Sequence, residues 1–330
     1  MNVLVTGGAG YIGSVVARDL AVAGWRVWIL DDFSTGSRDL PRTLRHGGIE
    51  WIEGNVGDSG LLRDLLAKVR FQGCVHLAGS ALVGESMERP WDYYRNNLAA
   101  GLTLLEALTE AGPVPMVFSS TAAVYGEPSR IPIAESHPTV PTSPYGETKL
   151  GFERALGWFR RSCGQRFLAM RYFNAAGAAR DGALGETHNP ETHLIPNVLA
   201  AAGTGGTVQV FGQDFPTPDG TCVRDYVHVD DLSRAHRLAL DLLLREDRGE
   251  SVNLGTGRGW SVIEVVETVR RATGRDVRVE HRPRRRGDPA ILVASGDRAN
   301  ELLGWVPECS DLETIVRTAW DWSRRTRGST

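Results

Sequence analysis

The chain has 330 residues, of which 42% are hydrophobic and 23% charged, and its formal net charge is -3. This charge argues against nucleic acid or a membrane surface as a partner, and the short Arg282–Arg286 run does not change that expectation. The eight histidines and four cysteines have no common metal-ligand spacing, so no metal site is expected. No apolar run reaches 18 residues and no basic signal-peptide region precedes the first apolar stretch, so we expect a cytoplasmic protein.

The N-terminal residues have the pattern of a dinucleotide-binding unit. Asn2–Thr6 is an apolar run typical of a buried strand, the glycine-rich turn GGAGYIG follows, and Ser14–Ala23 has helical spacing. A second apolar run, Val27–Leu30, ends at an acidic pair, Asp31 and Asp32. The glycines allow close approach to a pyrophosphate at a helix N-terminus, and an acid about 20 residues later binds an adenosine ribose. Because the acidic pair would repel a 2′-phosphate, the pattern predicts NAD rather than NADP.

Further apolar runs predict an open parallel sheet. They are Glu50–Glu53, Cys74–Leu77, Pro115–Ser119 and Phe167–Phe173. Helical segments such as Trp91–Thr109 and Pro144–Arg161 separate several of them, and such alternation is typical of an α/β fold with a Rossmann-type, doubly wound parallel sheet. Ligands bind such sheets at the carboxyl ends of the strands, where Ser119 and Thr121 lie.

A tyrosine and a lysine at helical spacing predict a general base. Tyr145 and Lys149 follow Ser143-Pro144, a typical helix start, and Lys149 is one of only two lysines among 37 basic residues. At this spacing the ammonium lies beside the phenol. Lowering the phenol pKa from about 10 to about 7 takes roughly 4 kcal/mol of differential stabilisation. The pair by itself is also compatible with an ordinary solvated helix face.

Together these motifs resemble the extended short-chain dehydrogenase/reductase family, and within it the UDP-hexose 4-epimerases. The resemblance runs nearly end to end. It rests on TGGAGYIGS from residue 6, HLAG from 76, VGES from 83, YYRNN from 93, FSSTAAVYG from 118, SPYGETK from 143, RYFNAAGA from 171, FGQDFPTPDGTCVRDYVHVDDL from 211, NLGTG from 253 and RRRGDPA from 284. The long segment around Arg224 is specific to the epimerase group, whereas the glycine motif marks only the superfamily.

The resemblance implies roles for individual residues. Tyr145 would be the base, Lys149 its partner and Thr121 the hydroxyl that hydrogen-bonds the reacting sugar oxygen. Tightly bound NAD would contact Gly7, Gly10, Tyr11, Ile12, Gly13, Asp31, Asp32, Asn55, Val56, Leu77, Ala78, Gly79, Asn96, Ser119, Tyr145, Lys149 and Tyr172. A UDP-sugar would contact Thr121, Phe173, Asn174, His193, Leu194, Phe211, Arg224, Arg285, Asp288 and Leu292. In that set the two arginines would clamp the diphosphate, Phe211 would pack near the uracil, and Asp288 would bind the uridine ribose.

Three positions depart from the family pattern. Ala81 stands where the family usually has a lysine beside the cofactor, so one cationic contact is missing. Asn55 replaces the aspartate that meets the adenine amine, although its amide oxygen can still accept a hydrogen bond. Leu292 stands at the position that sets the size of the C2 substituent, where tyrosine implies plain hexoses and small residues admit N-acetyl groups. Leucine is intermediate, so the resemblance leaves the preferred UDP-hexose open.

The implied reaction is NAD-dependent inversion at C4 of a UDP-hexose through a transient 4-keto sugar. A 4-epimerase of a UDP-pentose or UDP-uronic acid, a net dehydrogenase or reductase, and a non-catalytic NAD-binding scaffold are the alternatives. A 4,6-dehydratase needs an acid pair after the threonine, where this chain has Ala122-Ala123. The scaffold alternative conflicts with the presence of Thr121, Tyr145 and Lys149.

The expected organisation is an NAD-binding domain at residues 1–174 and a smaller α/β domain for the sugar nucleotide at 175–330. The resemblance implies that later segments, around 223–244 and 251–255, cross back into the first domain. It also implies a homodimer, because Trp91–Thr109 and Pro144–Arg161 match the helices that form the family's dimer interface.

Overall fold

The computed structural model describes residues 1–40, 44, 47–188, 190–285 and 287–327. Arg286, part of the arginine run considered above, lies outside them. The strands are β1 (Asn2–Thr6), β2 (Arg26–Asp31), β3 (Ile49–Glu53), β4 (Gly73–His76), β5 (Met116–Thr121), β6 (Phe167–Tyr172), β7 (Asn174–Ala176), β8 (Thr207–Phe211), β9 (Val223–Arg224), β10 (Tyr226–His228), β11 (Gly249–Leu254), β12 (Trp260–Ser261), β13 (Arg278–Arg282) and β14 (Ile291–Leu292).

The described α-helices are α1 (Tyr11–Val22), α2 (Ser59–Lys68), α3 (Val83–Glu88), α4 (Pro90–Tyr93), α5 (Ala100–Glu110), α6 (Pro144–Cys163), α7 (Leu194–Thr204), α8 (Val229–Arg245), α9 (Val262–Thr273), α10 (Asp297–Leu303) and α11 (Leu312–Arg327). A π-helix (Tyr94–Ala99) joins α4 to α5, and a short 3₁₀-helix (Ala122–Tyr125) follows β5. Within the described ranges, no helix is both long and apolar enough to cross a membrane.

The main sheet has seven parallel strands in the order β11-β6-β5-β4-β1-β2-β3. Buried side chains of α1 and α8 pack on one face, and those of α2, α5 and α6 pack on the other. This arrangement confirms the predicted Rossmann-type fold. Apolar side chains on both faces explain why its strands read as continuous apolar runs rather than alternating ones.

The late segments α8 and β11 belong to this layer, since β11 pairs in parallel with β6 along its whole length. Three smaller sheets lie outside it, with the orders β12-β9-β14, β10-β7 and β13-β8. Helices α7, α9 and α11 enclose a separate apolar core beside the smaller sheets. The position of the domain boundary near residue 174 stays a prediction.

The predicted strands agree with the observed ones to within two residues, and the predicted helical segment Trp91–Thr109 is helical throughout. It is not one regular α-helix, because it runs through α4, the π-helix and α5. The wider π turn carries Asn96 and Asn97, and both amides bond to Ser80. Apolar periodicity does not reveal such a turn, since it inserts a residue without removing the helical pattern. By contrast, α6 begins at Pro144 as predicted, with Ser143 Oγ accepting a hydrogen bond from the Gly146 N–H at 3.2 Å.

Candidate active site

The turn between β1 and α1 is tightly packed and leads to a helix N-terminus without a side-chain cap. Gly7 has a φ of +72°, and a Cβ there would lie 2.5 Å from the Ala78 nitrogen. A Cβ on Gly13 would lie 2.1 Å from the Gly7 carbonyl oxygen. Gly10 stands at the N-cap of α1 and has no side chain to bond the first N–H groups. Those groups and the positive end of the helix dipole fit a pyrophosphate, so the residues present suit a dinucleotide.

Two acids close the adenosine side of this turn. The buried Asp31 carboxylate accepts hydrogen bonds from the N–H groups of Ala9 and Phe33, each at 2.8 Å. It therefore ties the end of β2 to the glycine turn, and burial raises the pKa of its carboxyl group. Asp32 accepts a hydrogen bond at 2.8 Å from the side-chain amide of Asn55. The acids thus organise the backbone at the site predicted for the adenosine ribose.

Asn55 is oriented by its neighbours. Its amide nitrogen donates to Asp32, and its amide oxygen accepts from the Gly57 N–H at 2.8 Å. An amide oxygen has a second lone pair, so the departure at this position still leaves one acceptor site. Val56 beside it is buried, whereas Ala81, the other departure on the cofactor side, is exposed.

The remaining predicted cofactor residues follow the carboxyl ends of neighbouring strands. Leu77, Ala78 and Gly79 follow β4, and the Asn96 amide donates to Ser80 Oγ at 3.0 Å. Ser119 lies near the end of β5. Tyr172 ends β6, and its hydroxyl is hydrogen-bonded to His236 Nε2 at 2.5 Å. The parallel strand order therefore brings residues that are distant in sequence to one edge of the sheet.

The structure brings the three predicted catalytic residues together at that edge. Thr121 is the last residue of β5, and the half-buried Tyr145 lies in the first turn of α6, close enough to Thr121 for that side chain to lower the pKa of its phenol. Lys149 is only 4% exposed. Its Nζ donates to the Ser119 carbonyl at 2.9 Å and lies 5.0 Å from the centre of the Phe118 ring. A hydroxyl, a phenol and an ammonium thus share one site beside the glycine turn.

Burial acts on both members of the Tyr145–Lys149 pair. Burial raises the pKa of the Tyr145 phenol, and the Thr121 side chain only partly opposes this. Burial also lowers the pKa of the Lys149 ammonium, to about 8. In the protein alone, burial is thus the largest influence on the phenol. The lowering of its pKa by Lys149 together with the positive nicotinamide of bound NAD stays a prediction.

A buried ion pair beneath these residues was missed by the sequence reasoning. Glu153, one turn after Lys149 on α6, forms a bidentate pair with Arg171 of β6, at 3.0 and 2.6 Å. Ser120 also donates a hydrogen bond to Glu153, and the Tyr125 hydroxyl lies 2.9 Å from the Arg171 guanidinium. The sequence did show that Glu153 follows Lys149 by four residues, which places both on one face of α6. Its partner is 18 residues away, which no local pattern reveals.

Four predicted substrate residues form a second group. The Arg224 guanidinium is paired with the Asp288 carboxylate and also donates to the Val223 carbonyl at 2.8 Å. The Arg285 guanidinium lies 4.0 Å from the centre of the Phe211 ring. The Asp288 N–H donates to the Arg285 carbonyl at 3.3 Å. The same turn therefore carries both the carboxylate that pairs with Arg224 and the guanidinium that lies on Phe211. Two arginines and an aromatic ring suit a nucleoside diphosphate.

Phe173 and Leu292 lie against one small apolar cluster that includes Tyr125 and Leu150. Strand pairing sets Leu292 opposite Arg224. The position predicted to control the C2 substituent therefore adjoins the arginine of the second group. The Asn174 amide nitrogen donates to the Asp225 carbonyl at 3.0 Å.

The last two predicted substrate residues stand at the start of α7. Leu194 packs with the apolar cluster that contains Val210 and Cys222. These two residues lie close in sequence to Phe211 and Arg224 of the second group. His193 is half-exposed and bonded to Glu186, with Glu191 also near. Burial lowers the pKa of His193, but the two carboxylates outweigh it and raise the pKa to about 10.

Comparisons with known proteins agree with this geometry. Residues 3–255 match the family described as "NAD dependent epimerase/dehydratase family". The UDP-glucose 4-epimerase of Corynebacterium glutamicum is 48% identical over 324 residues, which cover 97% of this chain and 95% of that protein. The crystal structure of UDP-glucose 4-epimerase from Brucella ovis in complex with NAD has a TM-score of 0.91 and 48% identity, with 97% of each chain covered. The structure of UDP-glucose 4-epimerase from Bifidobacterium longum in complex with NAD+ and UDP has a TM-score of 0.94 and 34% identity, with 100% of each chain covered.

The fold and the site therefore define a dinucleotide-binding α/β protein. The chain belongs to the NAD-dependent epimerase/dehydratase family, which confirms the resemblance found in the sequence. The roles of individual site residues stay predictions.

Proposed function

We propose that the protein is an NAD-dependent epimerase that interconverts UDP-glucose and UDP-galactose by inversion at C4. The observation that carries this proposal is the meeting of Thr121, Tyr145 and Lys149 at the sheet edge that also holds the glycine turn. The relatives at 42–48% identity that are UDP-glucose 4-epimerases support the same activity. The Bifidobacterium protein, crystallised with NAD+ and UDP, supports the ligand pair.

In the proposed reaction, Tyr145 as phenolate takes the proton of the sugar 4-hydroxyl, and Thr121 holds the same oxygen by a hydrogen bond. NAD, when bound, supplies a hydride acceptor for C4 and a positive nicotinamide beside the phenol. Lys149, whose Nζ donates a hydrogen bond to the Ser119 carbonyl, would orient the cofactor ribose and adds a positive charge. After the keto sugar turns over, C4 would regain the hydride on its opposite face and the oxygen would regain the proton from Tyr145, so the net redox change is zero and the cofactor would stay bound.

NAD would be held by the glycine turn, the acidic pair of β2 and the residues that follow β3 and β4. A Cβ on Gly7 or Gly13 would collide with neighbouring backbone, so these glycines permit the tight turn that places the N-terminus of α1 at the proposed pyrophosphate site. The exposed position of Ala81 contributes no cation. We therefore propose that retention of NAD depends chiefly on the backbone N–H groups of α1 and on Lys149.

For the substrate, we propose that Arg224 and Arg285 bind the diphosphate, Phe211 packs on the uracil and Asp288 binds the uridine ribose. The Arg224 and Asp288 side chains, 12% and 24% exposed, are paired with each other, so the proposal requires the diphosphate to replace Asp288 on Arg224 and free that carboxylate for the ribose. Leu292 leaves room beyond that of a tyrosine, and we propose that N-acetylated UDP-hexoses are accepted more slowly than plain ones.

A second candidate is a 4-epimerase of another UDP-sugar. A Stenotrophomonas maltophila protein described as UDP-glucose-4-epimerase, 36% identical to this chain, was crystallised with NAD and formylated UDP-arabinopyranose. Dehydration is disfavoured because Ala122 and Ala123, in the 3₁₀-helix after Thr121, carry no proton to transfer.

We further propose the domain division predicted above, a homodimer and a cytoplasmic location. Large apolar side chains are exposed on α4, the π-helix and α6, with Trp91 58%, Tyr94 46% and Trp158 66% exposed. They support a dimer formed by these helices. All four cysteines are described and free, which suits a reducing compartment.

The test is to incubate the purified protein, without added NAD, with UDP-galactose or with UDP-N-acetylgalactosamine and to identify products by NMR. The matching gluco epimer is the expected product, formed faster from UDP-galactose. Absence of an epimer from either substrate, also after NAD is supplied, would overturn the proposal. UDP-arabinopyranose and UDP-glucuronic acid then serve as probes for the second candidate.

A further inference from the structure

The segment that leads into α7 gathers four side chains of metal-ligand type. They are Glu186, His188, Glu191 and His193, and their ligand atoms all lie within 4.8 Å of one another. The Nδ1 atoms of both histidines approach the same carboxylate oxygen, Oε1 of Glu186, at 2.8 Å for His188 and closer for His193. Oε1 of Glu191 lies 3.5 Å from Nδ1 of His193. Four donors from a stretch of eight residues therefore converge on one point.

Charge balance favours a cation at this point. The side chain of Glu186 is only 7% exposed and that of Glu191 is 22% exposed. Two carboxylates held this close and this far from water are stable only when positive charge compensates them, which protonated His193 supplies in the metal-free protein and a bound cation would supply in its place. Two imidazole nitrogens and two carboxylate oxygens also make a donor set that Zn²⁺ binds in four-coordinate sites.

We propose that Glu186, His188, Glu191 and His193 form a binding site for one divalent transition-metal ion of the Zn²⁺ class. Bonds of about 2.0–2.2 Å would set neighbouring ligand atoms of a tetrahedral site roughly 3.4 Å apart, a spacing that small side-chain shifts give from the observed cluster. The proposal departs from the expectation of no metal. That expectation rested on sequence spacing, and these ligands match no common metal motif along the chain.

The place of the cluster indicates a structural role. The Trp322 indole N–H of α11 donates to the Glu186 carbonyl at 2.9 Å. The Tyr11 ring of the glycine turn meets His188 edge-on, with centroids 6.5 Å apart. His193 stands at the N-cap of α7. An ion here would fasten α7 and α11 beside the dinucleotide turn, and would fix the backbone that presents Leu194.

Another group of ligand-type side chains, His228, Asp230 and Cys309, differs in a way that supports this choice. There the ring nitrogens of His228 already bond the Asp230 N–H at 3.1 Å and Thr318 Oγ1 at 3.0 Å. Both nitrogens have partners outside any ion, so that group carries no metal proposal. In the first group the Nδ1 atoms of both histidines are bonded to Glu186, which is itself a ligand-type side chain, so one ion could replace these contacts with all four donors as ligands.

The experiment uses the full-length protein, purified without a histidine tag or chelator, and then freed of metal with EDTA. ZnCl₂ is titrated by calorimetry, and Co²⁺ is added separately for absorption spectroscopy. About one equivalent of Zn²⁺ per chain should bind, and the Co²⁺ form should show the intense visible bands of four-coordinate N/O ligation. At a hundredfold excess over Kd, Tm should rise by about 5 °C.

Variants assign the site. The double variant His188→Asn/His193→Asn should lose both the stoichiometric binding of Zn²⁺ and the rise in Tm. His281→Asn, at an exposed strand position, should keep both. Cys163→Ser, which removes the exposed thiol, should also keep both. Binding that survives the double histidine variant, or no stoichiometric binding by the wild type, would overturn the proposal.

A folding failure of the double variant would not protect the proposal. Zinc-edge X-ray absorption of the wild type shows the ligands directly. Imidazole scattering with oxygen neighbours is expected. Sulfur neighbours, or a shell of water oxygens alone, would overturn the assignment.

Discussion

Two regions of the molecule differ in how their charged side chains are held. The first is the sheet edge with the proposed catalytic residues Thr121, Tyr145 and Lys149, called the catalytic edge below. The second, called the arginine group, comprises Phe211, Arg224, Arg285 and Asp288. At the catalytic edge, Arg171 and Glu153 have side chains only 8% and 5% exposed and bond each other through two hydrogen bonds. In the arginine group, Arg224 pairs with Asp288 at partial exposure, and Arg285 is exposed on the Phe211 ring. The first region is therefore preformed, whereas the second has to exchange partners to bind an anion.

This difference predicts which substitutions should lower activity and which should lower the free energy of unfolding. Buried pairs are costly to break because the remaining charge is left without a partner, whereas exposed charges exchange partners readily. Changes at the catalytic edge should act on chemistry or folding, and changes in the arginine group should act on substrate affinity.

The largest expected effect is on chemistry, from Tyr145→Phe. Loss of the phenol removes the proposed base, so kcat should fall about a thousandfold while the fold is kept. Turnover of UDP-galactose measures the loss, and circular dichroism with Tm checks the fold. Tyr94→Phe, at an exposed tyrosine, is the matched control and should keep normal turnover. Near-normal kcat of the Tyr145 variant would contradict its role as base.

Arg171→Met should be the most destabilising of these changes. It leaves Glu153 buried without its partner, so the free energy of unfolding should fall by about 3–5 kcal/mol. Urea unfolding followed by fluorescence measures it. Arg26→Met is the control, because the Arg26–Glu50 pair has side chains 57% and 46% exposed and its loss should barely move the midpoint. Equal effects of the two variants would contradict the contrast between buried and exposed pairs.

Arg285→Ala should act on binding rather than chemistry. It removes the proposed diphosphate contact, so KM for the UDP-sugar should rise about tenfold to a hundredfold with kcat within about twofold. Steady-state kinetics separate the two constants. The control is Arg284→Ala, whose guanidinium lies 4.1 Å from the Phe215 ring and pairs with Asp214 instead. A large fall in kcat with unchanged KM would contradict the assignment of Arg285 to substrate binding.

Acid should lower the free energy of unfolding through the buried His236. Burial lowers the pKa of His236 to about 4, and the ring bonds the Tyr172 hydroxyl at 2.5 Å. Between pH 6.5 and 4 the unfolded chain therefore binds a proton that the folded protein excludes. Stability from this group is present above pH 6.5 and falls by up to about 1.4 kcal/mol per pH unit below it. His236→Gln should thus lose less stability than the wild type between pH 7 and pH 5, as urea midpoints at both pH values would show. A constant gap would count against it.

The smallest expected effect concerns the sugar. Leu292→Tyr should lower the rate with UDP-N-acetylgalactosamine relative to UDP-galactose by about tenfold, and Leu292→Ala should raise that ratio, because pocket volume decides the fit of the acetyl group. Parallel NMR time courses with both substrates give the ratio. Ratios that do not change would remove Leu292 from substrate selection.

Local patterns were enough for much of the fold. The strand, glycine turn and helix of residues 2–22 and the start of α6 at Pro144 follow from apolar runs, glycines and a cap, all of which act between near neighbours in sequence. The same holds for the spacing of Tyr145 and Lys149. The order of the strands then carries these residues to a common edge.

Tertiary structure decided the rest. The partners Glu153 and Arg171, Arg224 and Asp288, and Arg285 and Phe211 are 18 to 74 residues apart, and their contacts depend on strand order and loop paths that no local pattern encodes. Apolar periodicity also could not show the π-helix. The direction of the Tyr145 pKa depends on burial, which exists only once the chain has folded. The sequence by itself thus determined the elements and the chemical groups, and packing decided their partners and their charge.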